Sequence, residues 1–165
     1  MASDGQIRSD IIALLPRLRR FACSLTGQVA DADDVVQIAI ERALGRLDQF
    51  QTGTRLDAWM FSIVRNAWID EARSRARRGR TFVAAELGDD VGADGESAMH
   101  ARLEAQDVWK AMQQLPEEQR ETIALVCVEG LAYREAADVL GVPIGTVTSR
   151  LARGREALQS LLGDA

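Results

Sequence analysis

The chain has 165 residues, enough for one ordinary domain or two very small ones, and no window approaches the roughly 20 apolar residues of a membrane-spanning helix. Its formal net charge of -5 gives no indication of a nucleic-acid partner, but the charge is unevenly distributed. Residues 1–78 carry 12 arginines against 10 acidic residues, residues 79–108 carry 2 against 7, and residues 109–165 carry 6 basic against 8 acidic residues.

Three amphipathic helices are predicted in the first half of the chain. Apolar residues recur at helical spacing over residues 7–25, where Pro16 is expected to kink or restart the helix. A second helix is predicted over residues 31–47. After a break at Gly53, a third is predicted over residues 55–78.

The start of the third helix is predicted from Thr54 and Asp57, which resemble a capping box with Asp in place of Glu. Trp59 and Trp68 on this helix allow two interpretations, because an aromatic ring can stack on a nucleic-acid base or pack inside a small helical bundle. Packing is favoured for Trp59, and both interpretations stay open for Trp68.

Helical periodicity is lost over residues 79–97, where GDDVGADGES predicts a flexible acidic linker. Four further helices are predicted after it, over residues 98–115, 116–129, 133–140 and 143–162. No strand pattern is convincing. The predicted fold is all-α, with two small helical domains at residues 7–78 and 98–165 joined by the linker.

The last two predicted helices meet at Gly141, which can adopt the positive φ that a tight turn requires. One side of the final helix is apolar, with Ile144, Val147, Leu151, Leu158 and Leu162. Another side carries Thr146, Ser149, Arg150 and Arg153. This pattern predicts a helix-turn-helix whose recognition helix starts at Pro143, and a solvated surface helix is the alternative. Arginine outnumbers lysine 19 to 1, and guanidinium groups suit phosphates and guanine edges.

The two cysteines, Cys23 and Cys127, lie in apolar helical patterns. They are predicted to be buried thiols in a reducing cytoplasm, with a disulfide or a redox switch as the alternative. The opening MASDGQIRSD has no basic segment followed by an apolar run, so no secretory signal is expected. A soluble cytoplasmic protein is therefore predicted.

Two segments together resemble a known family. LPEEQRETIALVCVEGLAYREAADVLGVPIGTVTSRLARGREAL is similar to region 4 of the extracytoplasmic-function (ECF) sigma factors of the sigma-70 family. DADDVVQIAIERALGRLDQFQTGTRLDAWMFSIVRNAWIDEARSRARR resembles their region 2. Because the two motifs occur in the family's order with a linker between them, the resemblance is specific and covers about residues 10–162.

The resemblance implies a bacterial alternative sigma factor that binds core RNA polymerase and directs it to promoters. Region 2, at residues 7–78, would bind the polymerase and recognise and melt the -10 element. Region 4, at residues 98–165, would read the -35 element in the major groove. An anti-sigma factor is the expected inhibitor, and no cofactor or metal is expected.

Site residues follow from the resemblance, motif by motif. Arg153 is expected to be the chief reader of -35 bases, with Ser149 beside it. The remaining -35 candidates are Thr146, Thr148, Arg150 and Arg155. The -10 candidates are Thr52, Gly53 and Thr54 in a loop that would capture a flipped base, with Arg65, Asn66 and Arg73 on the following helix. The polymerase-binding candidates are Asp31, Asp33, Asp34, Gln37 and Glu41.

Ile38 follows Gln37 where the family often has an acidic residue, and Glu41 could substitute one turn later. Arginines from residue 73 to residue 80 form a basic tail, either a phosphate-tracking strip or a solvated helix end.

Two other classes of protein compete with this interpretation. A sigma-like decoy or stand-alone helix-turn-helix regulator is disfavoured, because the DNA-facing arginines of both regions are present. An enzyme is disfavoured as well. Asp33 and Asp34 are adjacent and point about 100 degrees apart on a helix, and His100 has no convincing ligand partner for a metal site.

Overall fold

The computed structural model describes residues 2–79 and 96–163. Every regular element within these two segments is helical, which confirms the predicted all-α class. The linker predicted at residues 79–97 falls largely on residues 80–95, outside the described part of the chain. Within the described segments, no helix is both long and apolar enough to cross a membrane.

Three long helices form the first domain: α1 (Asp4–Thr26), α2 (Val29–Leu44) and α3 (Leu56–Arg77). The prediction had continued the second helix to residue 47. Instead α2 stops just before Gly45, and a short 3-10 turn follows at Leu47–Gln49. Glycine weakens a helix, so a tighter turn replaces the last predicted residues.

Pro16 lies inside the continuous helix α1, so the helix does not restart there. A proline inside a helix removes one hydrogen bond and crowds the carbonyl four residues earlier. Here that carbonyl belongs to Ile12, which is strongly exposed, so water can reach the disturbed turn. Buried Ile11 and Leu18 anchor the helix on either side of the proline.

The capping box predicted at Thr54 is also absent. The Thr54 hydroxyl donates to the carbonyl of Gln51, and α3 begins at Leu56 without a side-chain cap. The Asp57 carboxylate accepts from the backbone N–H of Ala58 and is held by two arginines. Asp57 therefore binds Arg17, Arg55 and the Ala58 N–H and does not form the predicted capping box with Thr54.

The core of the first domain forms where the three helices meet. Phe21 on α1 and Phe61 on α3 are fully buried and pack edge-to-face, with ring centroids 5.2 Å apart. Aromatic pairs prefer this geometry because the positive ring edge faces the negative ring face. The guanidinium of Arg17 lies 5.3 Å from the Phe61 ring centroid, within the range of a cation–π interaction at the edge of the core.

The second domain contains four helices: α4 (Glu96–Gln113), α5 (Glu117–Ile123), α6 (Tyr133–Leu140) and α7 (Ile144–Gly163). α5 continues into a wider π-helical turn at Ala124–Val128. α6 and α7 form the predicted helix-turn-helix and pack together with α5.

The apolar face predicted for α7 is only partly correct. Val147 and Leu151 are buried, whereas Ile144 is 48% exposed and Leu162 is 36% exposed. Both exposed residues lie near the ends of α7, beyond the helices that cover its middle. Gly154 lets α7 lie close against Ile123, because a Cβ at this position would lie 2.5 Å from Ile123 Cδ1.

Gly141 has φ +66° in the turn between α6 and α7, as predicted. A side chain in this left-handed region costs roughly 1–2 kcal/mol, so Gly141→Ala is expected to lower the free energy of unfolding by about that amount. Gly145→Ala is the control, because Gly145 lies in α7 with open space around its Cβ position, and it is expected to stabilise by about 0.5–1 kcal/mol. Urea unfolding measures both, and a shift in the same direction for both would contradict the turn geometry.

The two cysteines differ, contrary to the prediction that both are buried. Cys23 is buried, and Cys127 is exposed on the π-helical turn. That turn closes through a bond from the Glu129 N–H to the Ala124 carbonyl, five residues apart. The extra residue shifts the side chains of this turn out of the 3.6-residue pattern. The apolar periodicity around Cys127 therefore gave a wrong prediction of its burial.

This difference predicts selective alkylation. Burial raises the pKa of the Cys23 thiol, although the nearby Arg19 charge acts in the opposite direction. Less thiolate and less access both slow its reaction. The native protein is therefore expected to take up one maleimide quickly at Cys127, and two after denaturation, as counted by mass spectrometry. Rapid labelling of the Cys127→Ser variant would show that Cys23 is accessible.

Candidate nucleic-acid and polymerase interface

The recognition helix α7 presents part of its predicted DNA face to solvent. Thr148, Ser149 and Arg153 are exposed, whereas Thr146 and Arg150 are half-buried. The Thr148 hydroxyl donates to the carbonyl of Ile144 at 3.2 Å, and the Ser149 hydroxyl donates to the carbonyl of Thr146 at 3.1 Å. Each hydroxyl therefore uses its proton within the helix and keeps its oxygen as an acceptor toward the outside.

The three arginines of α7 have different surroundings. Arg150 is half-buried, and its guanidinium lies 3.6 Å from the Glu118 carboxylate. Arg155 is exposed and contacts the Cys127 sulfur at 3.6 Å. No carboxylate of the described residues lies within ion-pair distance of Arg153. Among the described residues neither Arg153 nor Arg155 has a carboxylate within ion-pair distance, and Arg155 differs from Arg153 in its contact with the Cys127 sulfur.

The predicted -10 residues lie on the first domain in two places. Thr52, Gly53 and Thr54 form an exposed loop before α3, and Gly53 has φ +93° with open space around it. Asn66 and Arg73 are exposed on α3. These five residues lie on the surface of a single domain, at the beginning and along the side of one helix.

Arg65, the remaining -10 candidate, does not face solvent. Its side chain is 21% exposed, and its Nε donates to Glu121 of α5 at 3.1 Å. Burial raises the pKa of the Glu121 carboxyl, and the charge and hydrogen bond of Arg65 act against this shift. The pair therefore joins α3 to the second domain through a poorly solvated contact.

The two tryptophans of α3 both pack against protein. Trp68 is buried, and its indole Nε1 donates to Glu117 of α5 at 3.3 Å. Trp59 is half-buried and lies against Phe50, with ring centroids 5.2 Å apart. This arrangement supports packing for Trp59. Trp68 also packs against protein, and its hydrogen-bond partner Glu117 belongs to the second domain.

The predicted polymerase-binding residues of α2 mostly share an exposed face. Asp33, Asp34, Gln37 and Glu41 are exposed, and Asp33 is paired with Arg19 of α1. Asp31 differs from them, because its carboxylate accepts from Arg75 of α3 at 2.7 Å and its side chain is only 15% exposed. Asp31 therefore joins two helices of its own domain.

The basic tail of α3 is not uniform. Arg73, Arg77 and Arg78 are exposed, whereas Arg75 is held by Asp31 and by Glu71. These two carboxylates raise the pKa of Arg75, Asp31 through its hydrogen bond first. Arg80 lies outside the described residues.

An ionic cluster around a buried carboxylate lies between the domains, and the sequence did not predict it. The Glu129 carboxylate, 1% exposed, accepts from Arg17 at 3.1 Å and from Arg20 at 2.7 and 2.9 Å. Arg17 also donates to the Glu129 carbonyl and to Asp57 of α3. The only signal in the sequence was one Glu after the apolar run ALVCV, which does not identify a partner more than 100 residues away.

Arg55 extends this cluster to α6. Its guanidinium donates to Asp57 at 2.6 Å and to Glu135 of α6 at 2.5 Å. Burial alone would raise the pKa of Asp57, but the hydrogen bonds from Arg55, the Ala58 N–H and Arg17 outweigh it and lower the pKa. Asp57 is therefore charged. Its carboxylate binds both Arg17 and Arg55, and each of these arginines also contacts the second domain.

Comparison with known proteins defines the class to which this pair of domains belongs. Residues 11–78 match the family model of sigma-70 region 2, and residues 105–158 match that of sigma-70 region 4. The matches fall on the helical bundle and on the helix-turn-helix, in the order in which the sequence motifs were found.

Individual relatives narrow the class. The chain is 39% identical to the ECF RNA polymerase sigma factor EcfG of Rhodopseudomonas palustris over 98% of this chain and 88% of that protein. It is 30% identical to the ECF sigma factor SigW of Bacillus subtilis over 98% of this chain and 91% of that protein. This chain therefore belongs to the ECF sigma factors of the sigma-70 family, which bind core RNA polymerase and direct promoter-specific initiation.

Solved structures show the same arrangement of helices. The sigma factor RpoE of Bartonella quintana, in complex with the anti-sigma factor NepR, superposes with a TM-score of 0.82 at 34% identity, covering 94% of this chain and 95% of that chain. CnrH, in complex with the cytosolic domain of CnrY, gives a TM-score of 0.71 at 28% identity, covering 99% and 91%.

Proposed function

We propose that the two domains divide the promoter between them, with residues 7–78 acting at the -10 element and residues 98–165 acting at the -35 element. The observation that carries this proposal is the exposed Ser149 and Arg153 face of α7, on a chain that also carries the region 2 bundle. In this proposal the chain recognises the promoter, and the polymerase core carries out RNA synthesis. The protein would therefore act in the cytoplasm, where the polymerase works.

At the -35 element, Arg153 reads a base edge and Ser149 supports it. Arginine can donate two parallel hydrogen bonds to guanine O6 and N7, and no described carboxylate competes for Arg153. Thr146, Thr148, Arg150 and Arg155 surround this pair. We assign these four residues to phosphate contacts, which would position α7 on the duplex without reading the sequence.

At the -10 element, the loop of Thr52, Gly53 and Thr54 receives an unstacked base. Gly53 leaves room for close backbone approach, and two hydroxyls lie beside it. Unstacking costs a few kcal/mol, which contacts in the loop offset. Asn66 offers an amide to a base edge, and Arg73 meets a phosphate of the strand. Arg65 reaches a phosphate only after its pair with Glu121 opens.

Core polymerase binds the exposed face of α2, with Asp34, Gln37 and Glu41 at its centre. Glu41→Lys is expected to weaken binding to purified core polymerase at least about tenfold. The change reverses the charge on a face that should meet a complementary polymerase surface, and juxtaposed like charges at an interface cost several kcal/mol. Fluorescence anisotropy of labelled protein measures the Kd. Asp10→Lys, at an exposed carboxylate of α1, is the matched control and should bind core as the parent does; equal binding by both variants would remove α2 from the interface.

An anti-sigma factor controls the protein. Two related sigma factors were solved with such partners, NepR and the cytosolic domain of CnrY, and this chain covers more than nine-tenths of both structures. If the chain were instead a stand-alone regulator, it would bind duplex DNA through α7 and show no affinity for core polymerase. The core-binding measurement therefore separates the two functions.

A further inference from the structure

We propose that Gly154 is a positioning residue for reading the -35 element. Its lack of a side chain sets how closely α7 lies on α5, and this distance fixes where Arg153 and Ser149 meet the DNA. The proposal rests on the proposed function, because it needs Arg153 and Ser149 to be the -35 readers. It assigns a role in promoter specificity to a residue that does not itself touch DNA.

Each reader of α7 is followed directly by a residue that contacts α5. Ser149 is exposed, and after it comes half-buried Arg150, whose guanidinium lies 3.6 Å from the Glu118 carboxylate of α5. The pattern repeats four residues later, because exposed Arg153 is followed by buried Gly154. Adjacent residues of a helix point about 100 degrees apart, so each reader lies beside a contact with α5. A change in such a contact therefore moves the neighbouring reader.

The contact at Gly154 leaves no room for a side chain. A Cβ at this position would lie 2.5 Å from Ile123 Cδ1, 3.2 Å from Ile123 Cγ1 and 3.4 Å from Gln119 Cβ. Carbon atoms in contact are about 3.5–4.0 Å apart, so the added atom needs roughly 1 Å more space. Rotation about the last bond of the buried Ile123 side chain would move Cδ1 but leave Cγ1 in place. Gly154→Ala therefore pushes this part of α7 away from α5.

The displacement is concentrated next to Arg153. Val147 and Leu151 are fully buried on the core side of α7, so they hold the first half of the helix in place while the part around residue 154 moves. Two parallel hydrogen bonds from arginine to guanine require donor–acceptor distances of about 2.7–3.2 Å. A shift of roughly 1 Å is enough to impair a site of this kind. The reading of bases is therefore lost before the contacts to phosphates are.

The test measures the specificity ratio of the full chain. This ratio is the Kd for a scrambled duplex divided by the Kd for a duplex selected from random sequence by the parent protein, both from fluorescence anisotropy. Gly154→Ala is compared with the double variant Gly154→Ala, Ile123→Val, which removes the Cδ1 atom nearest to the added Cβ. Gly163→Ala is the matched control, because it adds the same methyl group to the same helix in open space.

Gly154→Ala is expected to lower the specificity ratio at least about fivefold, the lower end of the loss that removal of an arginine–base contact causes. Its Kd for the scrambled duplex should stay within about twofold of the parent value, because phosphate contacts position the protein without reading bases. The double variant should recover most of the lost ratio, and Gly163→Ala should match the parent. Lower stability alone would not produce this pattern, since unfolding of the second domain weakens both duplexes.

Three results would overturn the proposal. The first is an unchanged ratio in Gly154→Ala. The second is an equal loss of affinity for both duplexes, which would show that the variant only destabilises the domain. The third is a reduced ratio that the double variant does not restore at all, because the contact with Ile123 would then not be the cause.

Arg153→Ala separates this proposal from the proposed function. If Arg153→Ala lowers the ratio and Gly154→Ala does not, Arg153 remains the reader and only the positioning role fails. If Arg153→Ala leaves the ratio unchanged, the -35 assignment fails and the positioning role fails with it. In the Arg153→Ala background, Gly154→Ala is expected to have a clearly smaller effect, because residues that act through one contact are not additive. An undiminished effect in that background would show that Gly154 does not act through Arg153.

Discussion

Arg153→Ala is expected to lower the affinity for a duplex selected by the parent protein by about 5- to 150-fold. The range corresponds to about 1–3 kcal/mol for a bidentate contact between arginine and a base. Arg153 is exposed on α7, and no carboxylate of the described segments pairs with it, so its whole interaction is available to DNA. Anisotropy titrations of the selected duplex and of a scrambled duplex measure the loss and the specificity ratio.

Arg155→Ala is the matched control, because it removes the same charge from the same helix two residues later. It is expected to weaken both duplexes about equally and to reduce the slope of log affinity against log salt by about 1, as a phosphate contact would. If Arg153→Ala also weakened the two duplexes equally, Arg153 would be a phosphate contact and the reader would have to be another residue of α7.

Phe61→Ala is expected to lower the free energy of unfolding by about 3–5 kcal/mol. Phe61 is fully buried between the helices of the first domain and packs edge-to-face on Phe21, so the change leaves a cavity and breaks an aromatic pair. Urea unfolding followed by circular dichroism measures the loss. A decrease of this size is a large part of the 5–15 kcal/mol that typically stabilises a domain.

Phe50→Ala is the control for Phe61→Ala, because Phe50 is half-buried and contacts Trp59 at the edge of the same domain. Its loss is expected to be clearly smaller, since water already reaches part of the ring and can fill the space. Equal losses for the two variants would contradict the placement of Phe61 at the centre of the bundle.

The helix-turn-helix could be predicted because its signals are local. Gly141 provides a positive φ at the turn, and Val147 and Leu151 recur at helical spacing on the buried side of α7. The misplaced ends of that face, Ile144 and Leu162, show the limit of periodicity. A helical wheel gives the direction of a side chain, but it does not tell how far along the helix the neighbouring helices extend.

Contacts between the domains could not be predicted, because each joins residues far apart in the sequence. Glu129 and Arg17 are separated by 112 residues, and Arg65 and Glu121 by 56. Charged residues usually lie in solvent, so sequence alone favours an exposed Glu129, whereas in the fold two arginines enclose it. The exposure of Cys127 was missed for a different reason, since the π-helical turn changes the period on which its burial was predicted.

Run-off transcription with purified bacterial core polymerase, on a pool of bacterial promoter fragments, tests the central claim most directly. With this protein added, we expect discrete new start sites, and we expect them to disappear with Arg153→Ala while Arg155→Ala reduces them only in part. Transcripts that persist unchanged with Arg153→Ala would contradict the assignment of α7 as the -35 reader. The absence of any new transcript from polymerase that has bound the protein would contradict the proposed division of the promoter between its two domains.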